Sequence, residues 1–141
     1  MPVYQFTTPW FENLAKPVWS QLIPQLNPKT ILEVGSYEGA SACFLIDTLS
    51  PQQEIEITCV DTWLGGIEHQ QGGIAQANMN AVERNFDSNL KSACAAAKHP
   101  VHFTKIKGTS DLTLAHLLSS GKKGYYDLVY IDGSHLAPDV L

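Results

Sequence analysis

Side chains able to do chemistry stand at the points where apolar runs of the sequence end. The first run closes on Glu33 and the turn Gly35–Gly39, the second on Asp61, and the last on Asp132 with His135 three residues later. An aspartate beside an open turn can bind a hard cation or orient a ligand. A histidine can accept a substrate proton near neutral pH. A surface turn with a solvated histidine is the alternative interpretation of the last pair.

The turn from Gly35 to Gly39 has the glycines that a ligand-binding loop needs. Gly35 allows a tight turn, and Gly39 allows close approach at a helix start, where free N–H groups favour an electron-rich ligand. The dinucleotide fingerprint G-x-G-x-x-G is absent, because Tyr37 stands where its middle glycine would be. A bulky residue there hinders a pyrophosphate, and the charge of Glu33 disfavours phosphate. Both features suit a cationic ligand without phosphates.

Two further strand ends could contact a nucleoside. Asp61 can accept hydrogen bonds from both ribose hydroxyls, although a helix cap or a loop hydrogen bond would also explain it. Thr109 and Ser110 follow Gly108 at the end of another apolar run, placed to flank an adenine. Helix capping by Thr109 or Ser110 explains these hydroxyls equally well.

The elements that must position these residues alternate between strand and helix. Periodicity predicts a Rossmann-like, doubly wound parallel α/β sheet with right-handed crossovers, in residues 29–141, preceded by an N-terminal helical region in residues 1–28. The predicted strands are 30–35, 54–61, 101–107 and 125–132. The predicted helices are 39–49, a long one reaching about residue 97 whose buried face is Met79, Val82, Phe86, Leu90 and Cys94, one following residue 109, and one starting at Pro138.

An apolar stripe marks the N-terminal helical region. It consists of Trp10, Phe11, Leu14, Val18, Trp19, Leu22 and Ile23. We expect this stripe to pack on the sheet, with a partner or substrate surface as the alternative. Pro17 and Pro24 are expected to end or restart a helix.

Composition excludes several functional classes. The net charge of −5 and nine scattered basic residues argue against a nucleic-acid partner, which requires clustered Lys and Arg. No apolar run is long enough for a membrane span, and the chain start lacks a signal peptide, so a cytoplasmic location is expected. Three cysteines, Cys43, Cys59 and Cys94, lie in apolar patterns and are expected to be free and buried.

The end of the sequence predicts an incomplete sheet. Val140 and Leu141 look like the start of an apolar helix stripe, and the strand before them is apolar enough to need cover on both faces. We therefore expect the chain to be a fragment of a longer polypeptide. The sheet edge left exposed predicts a homo-oligomer through that edge.

Four motifs in this order resemble class I S-adenosylmethionine-dependent methyltransferases, and within them the group of small-molecule and sugar O-methyltransferases. The motifs are Glu33-Val-Gly-Ser-Tyr-Glu-Gly-Ala-Ser41, Cys59-Val-Asp-Thr-Trp63, Gly108-Thr-Ser110 and Tyr126-Asp-Leu-Val-Tyr-Ile-Asp-Gly-Ser-His135. The start Phe6-Thr-Thr-Pro-Trp-Phe11 is also similar to that group. The resemblance implies methyl transfer from S-adenosylmethionine to a hydroxyl of a small molecule.

The resemblance also assigns roles to residues. It implies cofactor contacts from the matching positions, which are Glu33, Gly35, Ser36, Tyr37, Gly39, Ser41, Asp61, Thr62, Trp63, Thr109, Ser110 and Asp132. In metal-dependent relatives, the position of Asp132 binds a divalent ion, commonly Mg²⁺, and the position of His135 serves as the base, so both are candidate catalytic residues. Relatives continue into a fifth, acidic strand that this sequence lacks. Two alternatives stay open: a non-catalytic cofactor-binding module, and an NAD-dependent oxidoreductase.

Overall fold

The computed structural model describes residues 2–64 and 78–132. In these ranges the chain forms four strands, which are β1 Thr30–Val34, β2 Ile55–Asp61, β3 Val101–Lys107 and β4 Leu128–Ile131. It also forms a π-helical turn, Phe11–Ala15, and four α-helices, α1 Lys16–Leu26, α2 Ala40–Leu49, α3 Met79–Ala96 and α4 Ser110–Ser119. The predicted helix at Pro138 lies outside the described residues.

The four strands form one parallel sheet in the order β3-β2-β1-β4. The chain runs outward from β1 to β3 and then crosses back to place β4 on the other side of β1. This reversal is the topological switch point of a doubly wound sheet, where ligands bind beyond the carboxyl ends of the strands. The predicted Rossmann-like α/β fold is confirmed, and every observed strand end lies within three residues of its predicted position.

The main core lies between the sheet and helices α2 and α3. Its central residues are completely buried and come from both layers, for example Ile31, Leu45, Ile57 and Phe86. The predicted face of α3 is confirmed at Val82, Phe86 and Leu90, while Met79 and Cys94 are partly buried against it. The three cysteines are free thiols, and burial raises the pKa of each.

The second face of the sheet carries a much smaller core. Leu32, Val34 and Val60 are buried there against partly buried Leu117 of α4. On the same side of β4, Val129 and Ile131 are about half exposed. β4 forms one edge of the sheet, and the predicted association through an exposed edge stays a prediction. Within the described ranges, no helix combines the length and the apolar character needed to cross a lipid bilayer.

The N-terminal helical region corrects two predictions. Ile23 is buried and Phe11 and Trp19 are partly buried, whereas Leu14 and Val18 are 78% and 61% exposed. The prediction that the whole stripe packs on the sheet is therefore wrong. The stripe consists of two adjacent rows of side chains, and the row with Phe11 and Trp19 packs against Phe44 of α2. Pro17 opens α1 as predicted, but Pro24 lies inside it. A proline in the last turn removes only one helical hydrogen bond before the helix ends.

Candidate functional site

The switch point brings the ends of β1 and β4 together. Glu33 of β1 pairs in register with Tyr130 of β4, so their side chains lie on the same face of the sheet. The Asp132 amide donates to the Val34 carbonyl oxygen at 2.7 Å, which extends the strand pairing to the beginning of the next loop. The residues predicted at the ends of the first and fourth strands therefore lie side by side.

Glu33 is a completely buried carboxyl group at this edge. The Ser41 hydroxyl of α2 donates to its Oε2 atom. In the described part of the chain, neither Glu33 Oε1 nor the buried Ser36 Oγ has a partner at hydrogen-bonding geometry. The Ser36 hydroxyl is nevertheless close enough to the Glu33 carboxyl group to lower its pKa, so the two groups interact weakly with each other. Buried polar atoms usually have full hydrogen-bond partners, so this poorly satisfied pair is a candidate place for a ligand or water.

Burial raises the pKa of the Glu33 carboxyl to about 7. The hydroxyls of Ser41 and Ser36 oppose this shift, while the negative charges of Asp132 and Asp61 add to it. Two further carboxyl groups are therefore within electrostatic reach of Glu33. Such a site repels a phosphate and attracts a cation, and a cation would in turn stabilise the ionised form of Glu33.

The turn above Glu33 has three residues with positive φ. Gly35 and Gly39 have φ of 93° and 85°, where glycine has no steric cost, and Tyr37 has φ of 50°. A left-handed tyrosine is uncommon and persists only where its surroundings hold it. Gly39 is the N-cap of α2 and no side chain caps this end of the helix. The first N–H groups of α2 therefore remain available at the site.

Asp61 at the end of β2 holds Tyr37 in that conformation. Its Oδ2 accepts from the Tyr37 amide at 3.0 Å, and its Oδ1 accepts from the Trp63 amide at 2.8 Å. The Trp63 indole N–H donates to the Tyr37 carbonyl oxygen at 2.8 Å. The loop hydrogen bond considered as the alternative role of Asp61 is therefore present. Each carboxylate oxygen keeps a second acceptor position, so the predicted ribose contact remains open.

The other residues predicted to contact a cofactor surround this centre in different ways. The Trp63 ring is buried against Phe86, with ring centroids 4.8 Å apart. Thr62 accepts from the Leu64 amide at 3.2 Å. The Gly108 amide donates to the Asp61 carbonyl oxygen at 3.0 Å, which brings the start of α4 beside Asp61.

The start of α4 carries the two hydroxyls predicted to flank an adenine. Thr109 is the N-cap residue of α4, but its side chain makes no capping hydrogen bond. Ser110 is the first residue of the helix. The Thr109 hydroxyl instead hydrogen-bonds to the Asp111 carboxylate and lowers its pKa. The predicted adenine contacts of both residues stay predictions.

Asp132 lies at the exposed end of β4, where the Tyr130 hydroxyl donates to its Oδ2 at 3.3 Å. Burial, with the charges of Asp132 and Glu33, raises the pKa of the Tyr130 hydroxyl. The Tyr130 ring packs edge-on against the Trp19 ring, with centroids 4.5 Å apart. Residues 2–64 and 78–132 contain no group of three or more His, Cys, Asp or Glu that could hold a metal ion. The metal role predicted for Asp132 has no support there, and His135 lies outside the described residues.

Sequence reasoning assigned no role to Glu38, although it lies inside the first motif. Its carboxyl group is buried and accepts hydrogen bonds from Thr7 and from Asn85 of α3. The Trp10 ring lies 5.1 Å from the Tyr37 ring, so the N-terminal residues reach the same turn. The sequence signal that could have pointed to Glu38 was its position between Tyr37 and Gly39 in the predicted ligand-binding turn. Its partners are 31 and 47 residues away and follow no local pattern.

Comparison with known proteins agrees with this geometry. The family described as "Methyltransferase domain" matches residues 32–141. That range contains all four strand ends and begins one residue before Glu33. No curated protein matches the chain.

Proposed function

This chain belongs to the methyltransferase domain family, and on that basis we propose that it binds S-adenosylmethionine and transfers its methyl group to a hydroxyl of a small molecule. The observation that carries the proposal is the buried Glu33 carboxyl group, whose Oε1 and the neighbouring Ser36 hydroxyl have no partner at full hydrogen-bond geometry in the described residues. An ammonium group can donate to both atoms, and its positive charge offsets the burial of Glu33.

The residues of the turn fit the remaining parts of that cofactor. Glu33 and Ser36 would hold the amino-acid part, next to the N-terminus of α2, whose free N–H groups suit a carboxylate. Asp61 would accept the ribose hydroxyls with its remaining acceptor positions, and Thr109 and Ser110 would flank the adenine. When bound, the cofactor supplies a methyl group already activated on a sulfonium sulfur.

The acceptor side of the proposal rests on the end of β4. Asp132 is exposed beside the Tyr130 hydroxyl and next in sequence to the segment that carries His135. Asp132 would orient the acceptor, and His135 would remove the hydroxyl proton as methyl transfer proceeds. A small-molecule acceptor suits a site at a strand end in an acidic chain with no cluster of basic residues.

Calorimetry on the full chain tests the cofactor assignment. We expect S-adenosylhomocysteine, which keeps the ammonium group, to bind wild-type protein, and NADH to bind at least about 100-fold more weakly because its pyrophosphate meets three carboxyl groups. Glu33→Gln should weaken S-adenosylhomocysteine binding by about 100-fold, since a charge-assisted hydrogen bond in a buried site is lost.

Glu54→Gln is the matched control, because it makes the same chemical change at an exposed position just before β2, at the other end of that strand from Asp61. Its affinity should equal that of the wild type. Preferential binding of NADH by the wild type would favour the oxidoreductase alternative. Binding of S-adenosylhomocysteine that Glu33→Gln leaves unchanged would remove Glu33 from the site.

A further inference from the structure

Glu38 is a second buried carboxyl group, on the helix side of the same turn. Glu38 is 2% exposed, and both of its carboxylate oxygens have hydrogen-bond partners. Oε1 accepts from the Thr7 amide at 2.7 Å, Oε2 accepts from Asn85 Nδ2 at 2.7 Å, and the Thr7 hydroxyl lies 3.0 Å from each oxygen. Glu38 thus joins three parts of the chain: the N-terminal segment (residues 2–10), the turn and α3.

Two further contacts reinforce this junction. Asn89 of α3, which is 1% exposed, accepts from the Gln5 amide and donates to the carbonyl oxygens of Gln5 and Glu38, all within 3.0 Å. The Trp10 ring packs on the Tyr37 ring at 5.1 Å. The N-terminal segment therefore contacts the turn at the Tyr37 ring and is hydrogen-bonded to Glu38, the residue that follows.

We propose that Glu38 is a positioning residue for the cofactor turn, which it fixes through the N-terminal segment. This proposal rests on the proposed cofactor site, whose turn residues it holds in place. The N-terminal segment lies outside the range that the family match covers, residues 32–141. The proposed site thus depends on residues that precede the range of the family match.

The physical argument concerns the strained Tyr37 backbone. A non-glycine residue at φ of 50° needs contacts that over-determine its conformation. Asp61 holds the amide of Tyr37, and Glu38 is the next residue along the chain. The Tyr37 carbonyl oxygen accepts from the Trp63 indole, and the Glu38 side chain is bonded to Thr7 and Asn85. Rotation of the peptide that follows Tyr37 would therefore strain or break these hydrogen bonds. Loss of either Glu38 hydrogen bond should let the turn leave the ligand-binding conformation more often.

The arrangement of donors allows an isosteric test. Both oxygens of Glu38 face donors, so Glu38→Gln places an NH₂ group against the Thr7 or Asn85 donors. We expect S-adenosylhomocysteine to bind this variant about 10-fold more weakly. Asn85→Asp alone should also weaken binding, since it sets two carboxyl groups side by side. The double variant Glu38→Gln with Asn85→Asp restores a donor and acceptor pair and should return affinity to within about 2-fold of wild type.

Amide hydrogen exchange by NMR supplies a readout that needs no cofactor. In Glu38→Gln the amides of Thr7 and Tyr37 should exchange about 10-fold faster, and the double variant should reverse both changes. Glu12→Gln, an exposed glutamate that pairs with Lys16 close to the same segment, should change neither affinity nor exchange. If Glu38→Gln does not fold, Thr7→Val, which removes only the hydroxyl, should still speed Tyr37 exchange by about 3-fold.

The two proposals fail in different ways. Faster exchange at Thr7 with unchanged exchange at Tyr37 overturns the positioning role, because Glu38 then anchors only the N-terminal segment. Failure of the double variant to recover overturns it as well, since the hydrogen-bond pairing is then not the cause. If wild-type protein does not bind S-adenosylhomocysteine, the proposed function fails, and Tyr37 exchange still decides whether Glu38 positions the turn.

Discussion

Glu33 lies just before the Gly35–Gly39 turn and Glu38 lies inside it. Both carboxyl groups are buried, but they differ in their hydrogen-bond partners. Glu38 has a donor for each oxygen, supplied by the N-terminal segment and α3. Glu33 has one donor at full hydrogen-bond geometry, Ser41, and in the described part of the chain its other oxygen has at most the weak interaction with Ser36. The comparison shows that burial alone does not mark a ligand site. Incomplete hydrogen bonding is the feature on which the proposed ligand site rests, because a structural carboxyl group is satisfied by its own protein.

The largest expected effect is an opposite change of stability at the two positions. At pH 8 Glu33→Gln should raise the free energy of unfolding by about 3 kcal/mol, since each unit of raised pKa corresponds to about 1.4 kcal/mol. Glu38→Gln should lower it by about 2 kcal/mol, because a buried donor then faces a donor. Urea unfolding of the two variants and wild type measures both values.

The pH dependence sharpens the same comparison. The folded-state pKa of Glu33 is raised to about 7 from 4.5. The folded protein therefore binds the proton more tightly than the unfolded chain, and wild-type stability falls as pH rises from about 5 through 7. The gain from Glu33→Gln should shrink to under about 1 kcal/mol at pH 5. A gain that is independent of pH would contradict the raised pKa.

Gly39, which follows Glu38 and is the N-cap of α2, gives the next effect in size. Gly39→Ala should destabilise the protein by about 3 kcal/mol, because the new Cβ at φ of 85° would overlap the Leu90 side chain and lie 3.1 Å from the Phe86 ring. Gly121→Ala is the matched control, with φ of 84° and nothing within 4 Å of the new Cβ. It should cost only the backbone strain, about 1 kcal/mol. Equal losses of thermal stability would show that packing against α3 is unimportant.

The smallest effect concerns cofactor affinity as a function of pH. A cationic ligand prefers ionised Glu33, so affinity should fall as pH drops through about 7 and be about 10-fold weaker at pH 6 than at pH 8. Calorimetry with S-adenosylhomocysteine at the two pH values measures this change. In Glu33→Gln the dependence should disappear, whereas Glu54→Gln should keep it. A dependence retained by Glu33→Gln would assign the titration to another group.

Local sequence patterns were sufficient to predict the helices and strands and the residues at the strand ends. Alternation and helical periodicity located the four strands and the main helices, and the chain order of strands and crossovers implied a parallel sheet. Parallel strands bring their carboxyl ends to one edge, so Glu33, Asp61 and Asp132 could be placed together in advance. The predicted packing of the N-terminal stripe was wrong because periodicity shows which residues are apolar. It does not show which of them contact a neighbouring helix.

Tertiary structure alone decided what each carboxyl group does. Glu33 and Glu38 are both charged residues of one motif, and nothing local shows that one is incompletely hydrogen-bonded while the other is bonded to Thr7 and Asn85. Those partners are supplied by segments 31 and 47 residues away in the sequence. The sequence by itself determined the sheet and the residues at its edge, because periodicity and chain order are local. The pairing of buried polar atoms depends on contacts between distant segments, and only the folded chain specifies it.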